Sequence, residues 1–314
     1  MTFTPTTNLE LHSSSPPIII SVKFLNAARL AKIGDDVNVR ELHLAKGEAA
    51  LKAGRVLRPA DLGLLASLGQ AEVPVLRRLR VAFFSTGDEL RSIGEPLDEG
   101  CVYDSNRYTL WGMLQRLGVD LIDMGVVRDD PVALEAAFRQ AAQDADAVIT
   151  SGGVSVGEAD HTKQVMKTLG DVLFWRIAMR PGRPMAIGRI SSGGHDAILF
   201  GLPGNPVAVM VTFYAFVRDA LLAMSGATPQ PLPMLRAAST QAIRKKAGRT
   251  EYQRGIVTRS ASSASGWQVE ITGAQGSGIL RSMSVANGLV VLGHEQGNVA
   301  AGELVDVLPF DGLV

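Results

Sequence analysis

Carboxylates, glycines and arginines recur in this sequence where short apolar runs end, and their order suggests a site for anions. The run DADAVI passes into TSGGVSVGEADHT, residues 150–162. Gly152 and Gly153 suit positive φ or the close approach of a ligand to backbone. The N–H groups and hydroxyls of Ser151 and Ser155 could hold an anion, with phosphate the first candidate. The run VAFF ends in Ser85, Thr86, Gly87, Asp88 and Glu89. The run VDLIDMGVV ends in Arg128, Asp129, Asp130 and Pro131. Asp130 before Pro131 reads as a helix N-cap, which leaves Asp129 as the functional candidate. With Glu158 and Asp160 after the glycine pair, these acids suggest a divalent cation beside phosphate, Mg²⁺ first. Arg176, Arg180 and Arg183 surround Pro181 and Gly182, where guanidinium forks could take oxyanions. GLPGNP, residues 201–206, is a stiff turn with Pro206 suited to a first helical position. The N–H groups of that helix start offer another anion site, and Asn205 could either cap it or touch ligand.

The elements that must position these residues follow a β-α-β-α-β rhythm. Asp104 or Ser105 can cap a helix carrying Leu110, Met113, Leu114 and Leu117, and PVALEAAFRQAAQ continues from Pro131. KQVMKTLG places Val165, Met166 and Leu169 on one side. Helical crossovers between buried strands imply a doubly wound, mostly parallel sheet. Its strands end on one edge, so Glu89, Asp129, Ser151, Glu158 and Asp160 are expected to converge. Beyond Gly226, Pro229, Pro231 and Pro233 form a linker, and Gly-punctuated alternating runs to Val314 read as a small all-β domain. GSGILRSMSVANG within it reads as strand-loop-strand, in preference to a segment carrying Ser277 or Ser282 to the main site. Before the sheet, residues 1–36 read as a loose tail around Ser13, Ser14, Ser15, Pro16 and Pro17. In 37–76, strand-like pieces lead to a helix opened by Pro59 and Asp61 and carrying Leu62, Leu64, Leu65 and Leu68. The expected divisions are therefore 1–36, 37–77, 78–227 and 228–314.

Composition narrows the function. The 31 basic and 31 acidic side chains of 314 residues cancel, so no general basic field points to nucleic acid. A 46% hydrophobic, 20% charged chain with mean hydropathy +0.15 reads as globular, with room for two or three domains. Cys101 alone excludes an internal disulfide framework and a multi-cysteine metal site. PPIIISV is too short to span a bilayer and lacks the flanks of a signal peptide, so the cytoplasm is expected. No GxGxxG fingerprint follows the first strand, and His12, His43, His161, His195 and His294 show no pairing pattern.

FSTGDEL (84–90), YDSNR (103–107), VRDDP (127–131), SGGVSVGEADHT (151–162), RPGRP (180–184) and GLPGNP (201–206) stand in an informative order. In that order they resemble the molybdopterin molybdenumtransferase family, the MoeA-like family that includes the gephyrin E domain. The resemblance runs over 37–314 and is strongest over 79–225. It implies insertion of molybdate-derived metal into adenylylated molybdopterin with release of AMP. By the same resemblance Glu89, Asp129 and Asp160 are catalytic and hold Mg²⁺. Thr86, Gly87, Asp88, Ser151, Gly152, Gly153, Ser155 and Glu158 bind the pterin nucleotide. Arg176, Arg180 and Arg183 stand where the family commonly has lysines, a cationic pocket in which fork geometry replaces a point charge. Pro203, Asn205 and Pro206 shape its wall. A homodimer is implied, with a molybdopterin adenylyltransferase or a molybdoenzyme chaperone as further partners; no membrane or nucleic acid is. The family's longer N-terminal region, with its separate small domain, is not matched by residues 1–36, so a shortened N-terminus is expected. Two alternatives stand beside this reading: a molybdopterin adenylyltransferase, and a non-catalytic pterin-binding or scaffold protein.

Overall fold

The computed structural model describes residues 49–70, 72–154, 160–228 and 230–311, with Asp160 described by its backbone alone. The expectations for residues 1–36, and those for 37–48 including His43, lie outside the described residues. Two compact units are present: the described part of 1–78 with 222–229, and 79–221 with the described part of 230–314.

In the described part of the first unit lies the helix α1 (Pro59–Ser67), which Pro59 opens at its first position. Asp61 fixes its start. The carboxylate accepts the Arg58 N–H at 2.9 Å and pairs with Arg55 at 2.7 Å. The Arg55 hydrogen bond, then the Arg58 N–H, hold the Asp61 carboxyl below its ordinary pKa. Leu65 is buried as its spacing predicts, but Leu62 is 58% exposed, so the expected apolar stripe is narrower than the leucine pattern.

The second unit is built on a six-stranded sheet. Its strands are β1 (Arg80–Thr86), β4 (Asp120–Val127), β5 (Ala147–Ser151), β6 (Gly170–Arg176), β8 (Pro184–Ser192) and β9 (His195–Leu202), in the order β4-β1-β5-β9-β8-β6. The first four run parallel, as uninterrupted apolar runs linked by helices require. β8 runs antiparallel to β9, and β6 antiparallel to β8, so β6 again points the way of the first four. A two-stranded ribbon, β2 (Leu90–Arg91) with β3 (Val102–Tyr103), projects after β1. Three crossover helices follow: α2 (Ser105–Leu117), α3 (Pro131–Asp144) and α4 (Asp160–Leu169). Asp130 caps α3, accepting from the N–H groups of Val132 and Ala133, which is the structural role its position before Pro131 predicts.

One face of the sheet buries Ala82, Phe84 and Val148 against Leu134 and Phe138 of α3 and Val165, Met166 and Leu169 of α4. Phe84 and Phe138 meet edge to face at 5.1 Å. Each such fully buried side chain contributes about 1.5–3 kcal/mol. Residues alternating with these, Val81, Phe83 and Ile149, are also fully buried, so both faces are covered. The long helix α5 (Pro206–Met224) is apolar enough to span a membrane by composition, yet half of its apolar window is buried inside the structure. Val207, Val209, Val211, Phe213, Val217 and Leu221 are among its buried residues, as in a core helix. Phe213–Val217 widen to π-helical hydrogen bonding.

The C-terminal strands are β10 (Leu235–Ser239), β11 (Thr250–Arg259), β12 (Trp267–Ile271), β13 (Gly288–Leu292) and β14 (Leu304–Pro309). They pair in the order β12-β10-β14-β13-β11, and β12 pairs again with β11, closing a small barrel. Ala237, Val257, Val269, Val290, Leu292, Val305 and Val307 fill its interior. The long strand β11 has two partners on one side. Its last five residues pair with β12, and Thr250 and Glu251 pair with Met179 and Arg180 of the short strand β7 (Met179–Arg180). The turn predicted to carry arginines thus also joins the barrel's sheet. GSGILRSMSVANG is not strand-loop-strand: Leu280–Val285 form a short helix, α6, with Ser282 and Met283 buried.

Candidate functional site

The C-terminal ends of β1, β4, β5 and β9 lie on one edge, and the predicted loops start there. Register places Ser85 beside Ser151 and Val126, and Ser151 beside Leu202. Gly152 and Gly153 have φ of +100° and +68°, the region glycine tolerates. Each also lacks room for a side chain. A Cβ on Gly152 would stand 2.5 Å from the Thr86 carbonyl oxygen, and one on Gly153 would stand 2.6 Å from the Thr162 methyl. Ser151 is 1% exposed and its hydroxyl accepts from Asn106 Nδ2 at 2.7 Å. The Gly152 N–H donates to the Leu202 carbonyl at 3.1 Å. Two of the groups expected to cradle an anion therefore have protein partners. Ser155 and Glu158 lie outside the described residues, as does the side chain of Asp160, which opens α4.

The acids are arranged in a chain. Asp88 Oδ1 accepts the Asp129 N–H at 3.2 Å, and Asp129 Oδ1 accepts the Thr162 hydroxyl at 3.2 Å. Glu89 folds over Gly87, where a Cβ would stand 2.7 Å from its Oε2. Gly87 and Asp88 line an open cavity of about 810 Å³ with Arg91, Glu95, Asp98 and Arg128. Among the described residues no three Asp, Glu, His or Cys side chains gather closely enough to share a metal ion. The described acids alone make no cation site, and the side chains of Glu158 and Asp160 are not among them.

On the barrel side, Arg180, Arg183, Pro203 and Asn205 line a cavity of about 460 Å³ with Gly204, Arg249, Gln275 and Ser277. Pro206 is the first residue of α5, and the Asn205 side chain makes no capping hydrogen bond, which leaves its amide to the cavity. The Val207 N–H donates to the Ser277 carbonyl at 3.0 Å, tying the barrel loop to the helix start. Gly182, with φ +94°, lets the arginine turn lie on α5, where a Cβ would collide with the Thr212 hydroxyl. Arg176 stands apart: it ends β6 opposite Pro184 and is exposed.

An adjoining cavity of about 260 Å³ shares Arg180, Pro181 and Gln275 and adds Arg244, Glu251 and Arg254. Glu251 is the one carboxylate among the residues lining the two cavities, and it pairs with Arg249 at 2.7 Å. Arg254 is 1% exposed and has no carboxylate partner among the described residues. Its Nε donates to Ser282 Oγ and its terminal nitrogen to the Gly276 carbonyl, each at 2.9 Å. Burial, and secondarily the neighbouring Arg180, bring its pKa down to about 10. A buried cation held by neutral groups and repelled by a second cation suits an incoming oxyanion.

Sequence reasoning did not select Asp104, Asn106, Thr162, Arg249 or Arg254 as site residues. For Asn106 a signal existed, a polar residue in the first turn of α2 on its buried side. For Arg254 there was none, since Glu251 and Gln253 beside it are polar too.

The site thus lies at the carboxyl edge of a mostly parallel α/β sheet, joined to a barrel that supplies a cationic wall. Residues 82–223 match the family described as a probable molybdopterin binding domain, and residues 236–310 match the MoeA C-terminal region, domain IV. The chain is 42% identical to a molybdopterin molybdenumtransferase of Haemophilus influenzae, over 91% of this chain and 68% of that protein. It is 34% identical to molybdopterin molybdenumtransferase 2 of Mycobacterium tuberculosis, over 88% of this chain and 66% of that one. Two crystal structures of the molybdopterin biosynthesis MoeA protein from Pyrococcus horikoshii superpose with TM-scores of 0.69 and 0.68 at 31% and 27% identity. Each superposition covers 85% of this chain and 63% of the other. The chain belongs to the molybdopterin molybdenumtransferase family, and it spans about two thirds of the length of these relatives.

Proposed function

We propose that this chain carries out the family's reaction, transferring molybdate-derived metal to adenylylated molybdopterin with release of AMP in molybdenum cofactor biosynthesis. One observation carries the reading: Arg180, Arg183 and Arg249 line one cavity with the LPGN loop, next to a second lined by Arg254. A phosphoanhydride and a molybdate are both anionic, and fixed positive charge lets them approach one another. In this reading Arg180 and Arg183 bind molybdate or the departing phosphate, and Pro203, Asn205 and Pro206 bound the pocket. Gly153, Ser155, Thr86, Gly87 and Asp88 hold the pterin nucleotide, with Ser151 and Gly152 shaping the loop. Asp129, Asp160 and Glu89 are the acids at its phosphate end and the expected ligands of Mg²⁺. Arg176 is not among the residues that line this cavity, although its strand partner Pro184 is. The chain is read as a cytoplasmic homodimer, supplied with substrate by a molybdopterin adenylyltransferase. The barrel separates this reading from the adenylyltransferase one, since residues 236–310 match the MoeA C-terminal region.

The test is AMP release by the purified chain from adenylylated molybdopterin, with molybdate and Mg²⁺ added or omitted in turn. Release that depends on molybdate is the expected result. Nucleotide binding without AMP release leaves a binding protein. Release that is unchanged when Mg²⁺ is chelated removes the cation from Glu89, Asp129 and Asp160.

A further inference from the structure

We propose that Asn106 is a positioning residue that clamps the SGG loop to the LPGN loop and so sets the spacing between the two. It is the second residue of α2 and 7% exposed. Nδ2 donates twice at 2.7 Å, to Ser151 Oγ and to the Gly204 carbonyl. The carbonyl can only accept, so it fixes the amide with nitrogen toward both loops. Ser151 and Leu202 are register partners on adjacent strands, and the Gly152 N–H to Leu202 bond continues that ladder. Past it the two chains part into loops, and Asn106 bridges them. They still pass closely: a Cβ on Gly204 would stand 3.8 Å from the Gly152 Cα.

The clamp is anchored to a third strand. Asp104, 1% exposed, caps α2 by accepting the Arg107 N–H at 3.1 Å, and its same oxygen accepts the Ser85 hydroxyl at 3.0 Å. The ends of β1, β5 and β9 are thereby tied to one helix start. Asn106 Oδ1, Asp104 Oδ2 and Thr86 Oγ1 are buried with no partner among the described residues. Unused polar capacity at one strand edge is rare in a packed interior and marks a place kept for water or ligand. Because Ser151 accepts from Asn106 and is almost fully buried, its part is that of a joint between loops.

The inference rests on the proposed function only in taking these loops to bind the pterin nucleotide. Affinity for adenylylated molybdopterin is measured for the full chain and for Asn106→Ala, Asn106→Asp, Ser151→Ala and the Asn106→Ala/Ser151→Ala pair. Core variant Ile190→Val controls for general loss of stability. Asn106→Ala is expected to weaken binding about tenfold, the scale of losing two buried hydrogen bonds. Asn106→Asp keeps the shape but not the donors and should weaken it equally. Ser151→Ala removes one of the two bonds and should cost less than Asn106→Ala, and the double variant should cost little more than Asn106→Ala alone, as coupled residues do. Wild-type affinity in Asn106→Ala, restoration by Asp, additive losses, or an equal loss in Ile190→Val would each overturn the clamp. If the wild-type chain itself binds no nucleotide, the functional reading fails and amide hydrogen exchange decides the clamp. Faster exchange at Gly152, Gly153 and Asn205 in Asn106→Ala than in Ile190→Val upholds it, and equal rates overturn it.

Discussion

Two walls of the unit that carries the site are built by opposite means. At the strand ends, position is held by neutral or capping groups: Asn106 to Ser151 and Gly204, Ser85 to Asp104, Gly152 to Leu202. On the barrel side stand Arg180, Arg183, Arg244, Arg249 and Arg254, with Glu251 the one carboxylate among them. Neutral hydrogen bonds tolerate burial when satisfied, whereas a buried charge is costly unless something compensates it. The first wall therefore gives geometry and the second gives charge. Arg254 is where the two meet, a charge placed inside the protein and held by the neutral partners Ser282 and Gly276.

The comparison breaks most readily at Arg254. Its folded pKa, about 10, lies below the ordinary arginine value, so the folded state holds that proton less tightly than the unfolded state does. The cost of the buried charge is carried in full below about pH 10 and is relieved as pH rises beyond it. Arg254→Met removes that cost together with the charge. We expect AMP release to fall about a hundredfold in kcat/KM, the upper range for losing hydrogen bonds to a charged group. Thermal stability at neutral pH should hold or rise. A melting temperature that drops further than that of Asn106→Ala would show that Arg254 is geometry too.

Gly152→Ala attacks the other wall. The substitution forces an L side chain to φ +100° with its Cβ 2.5 Å from the Thr86 carbonyl oxygen. Backbone cannot yield as a flexible side chain does, and the cost is about 2–3 kcal/mol of stability. Urea unfolding measures it. Loss of stability and of nucleotide affinity together is the expected pattern, in contrast to Arg254→Met. An unchanged unfolding midpoint would mean the loop is free to move.

Much of the strand-end wall was legible because it is local. Gly152 and Gly153 follow an apolar run, Asp130 precedes Pro131, and Pro206 opens a helix, so each residue's neighbours disclose its task. The barrel wall was not. Arg254 lies in a strand where its neighbours Glu251 and Gln253 are also buried and polar, so alternation gave no clear inward face. It comes near Arg180 because β11 pairs with β7, a partnership between segments 71 residues apart in the chain, in register Glu251 with Arg180. The short helix α6 was hidden for a related reason: its segment read as strand-loop-strand, while burial of Ser282 and Met283 decided the outcome. Asn106 shows a third case, a visible residue whose partners, Ser151 and Gly204, are distant in sequence.

The finest test concerns the form of the charge. Arg180 and Arg183 flank the Pro181–Gly182 turn, and Arg180 lines both barrel-side cavities while Arg183 lines one. If the wall supplies charge alone, an ammonium should serve nearly as well as a guanidinium. If it also orients an oxyanion, the planar fork matters, since two parallel N–H donors cannot be replaced by one point charge. Arg180→Lys is expected to raise the KM for molybdate about threefold to tenfold with kcat little changed, and Arg183→Lys to do less. Both readouts come from the same AMP-release assay at varied molybdate. Equal kinetics in Arg180→Lys and wild type would leave the barrel wall a source of charge only. A large fall in kcat would make Arg180 part of the strand-end wall's task, holding the reacting groups in place, and the division between the walls would no longer stand.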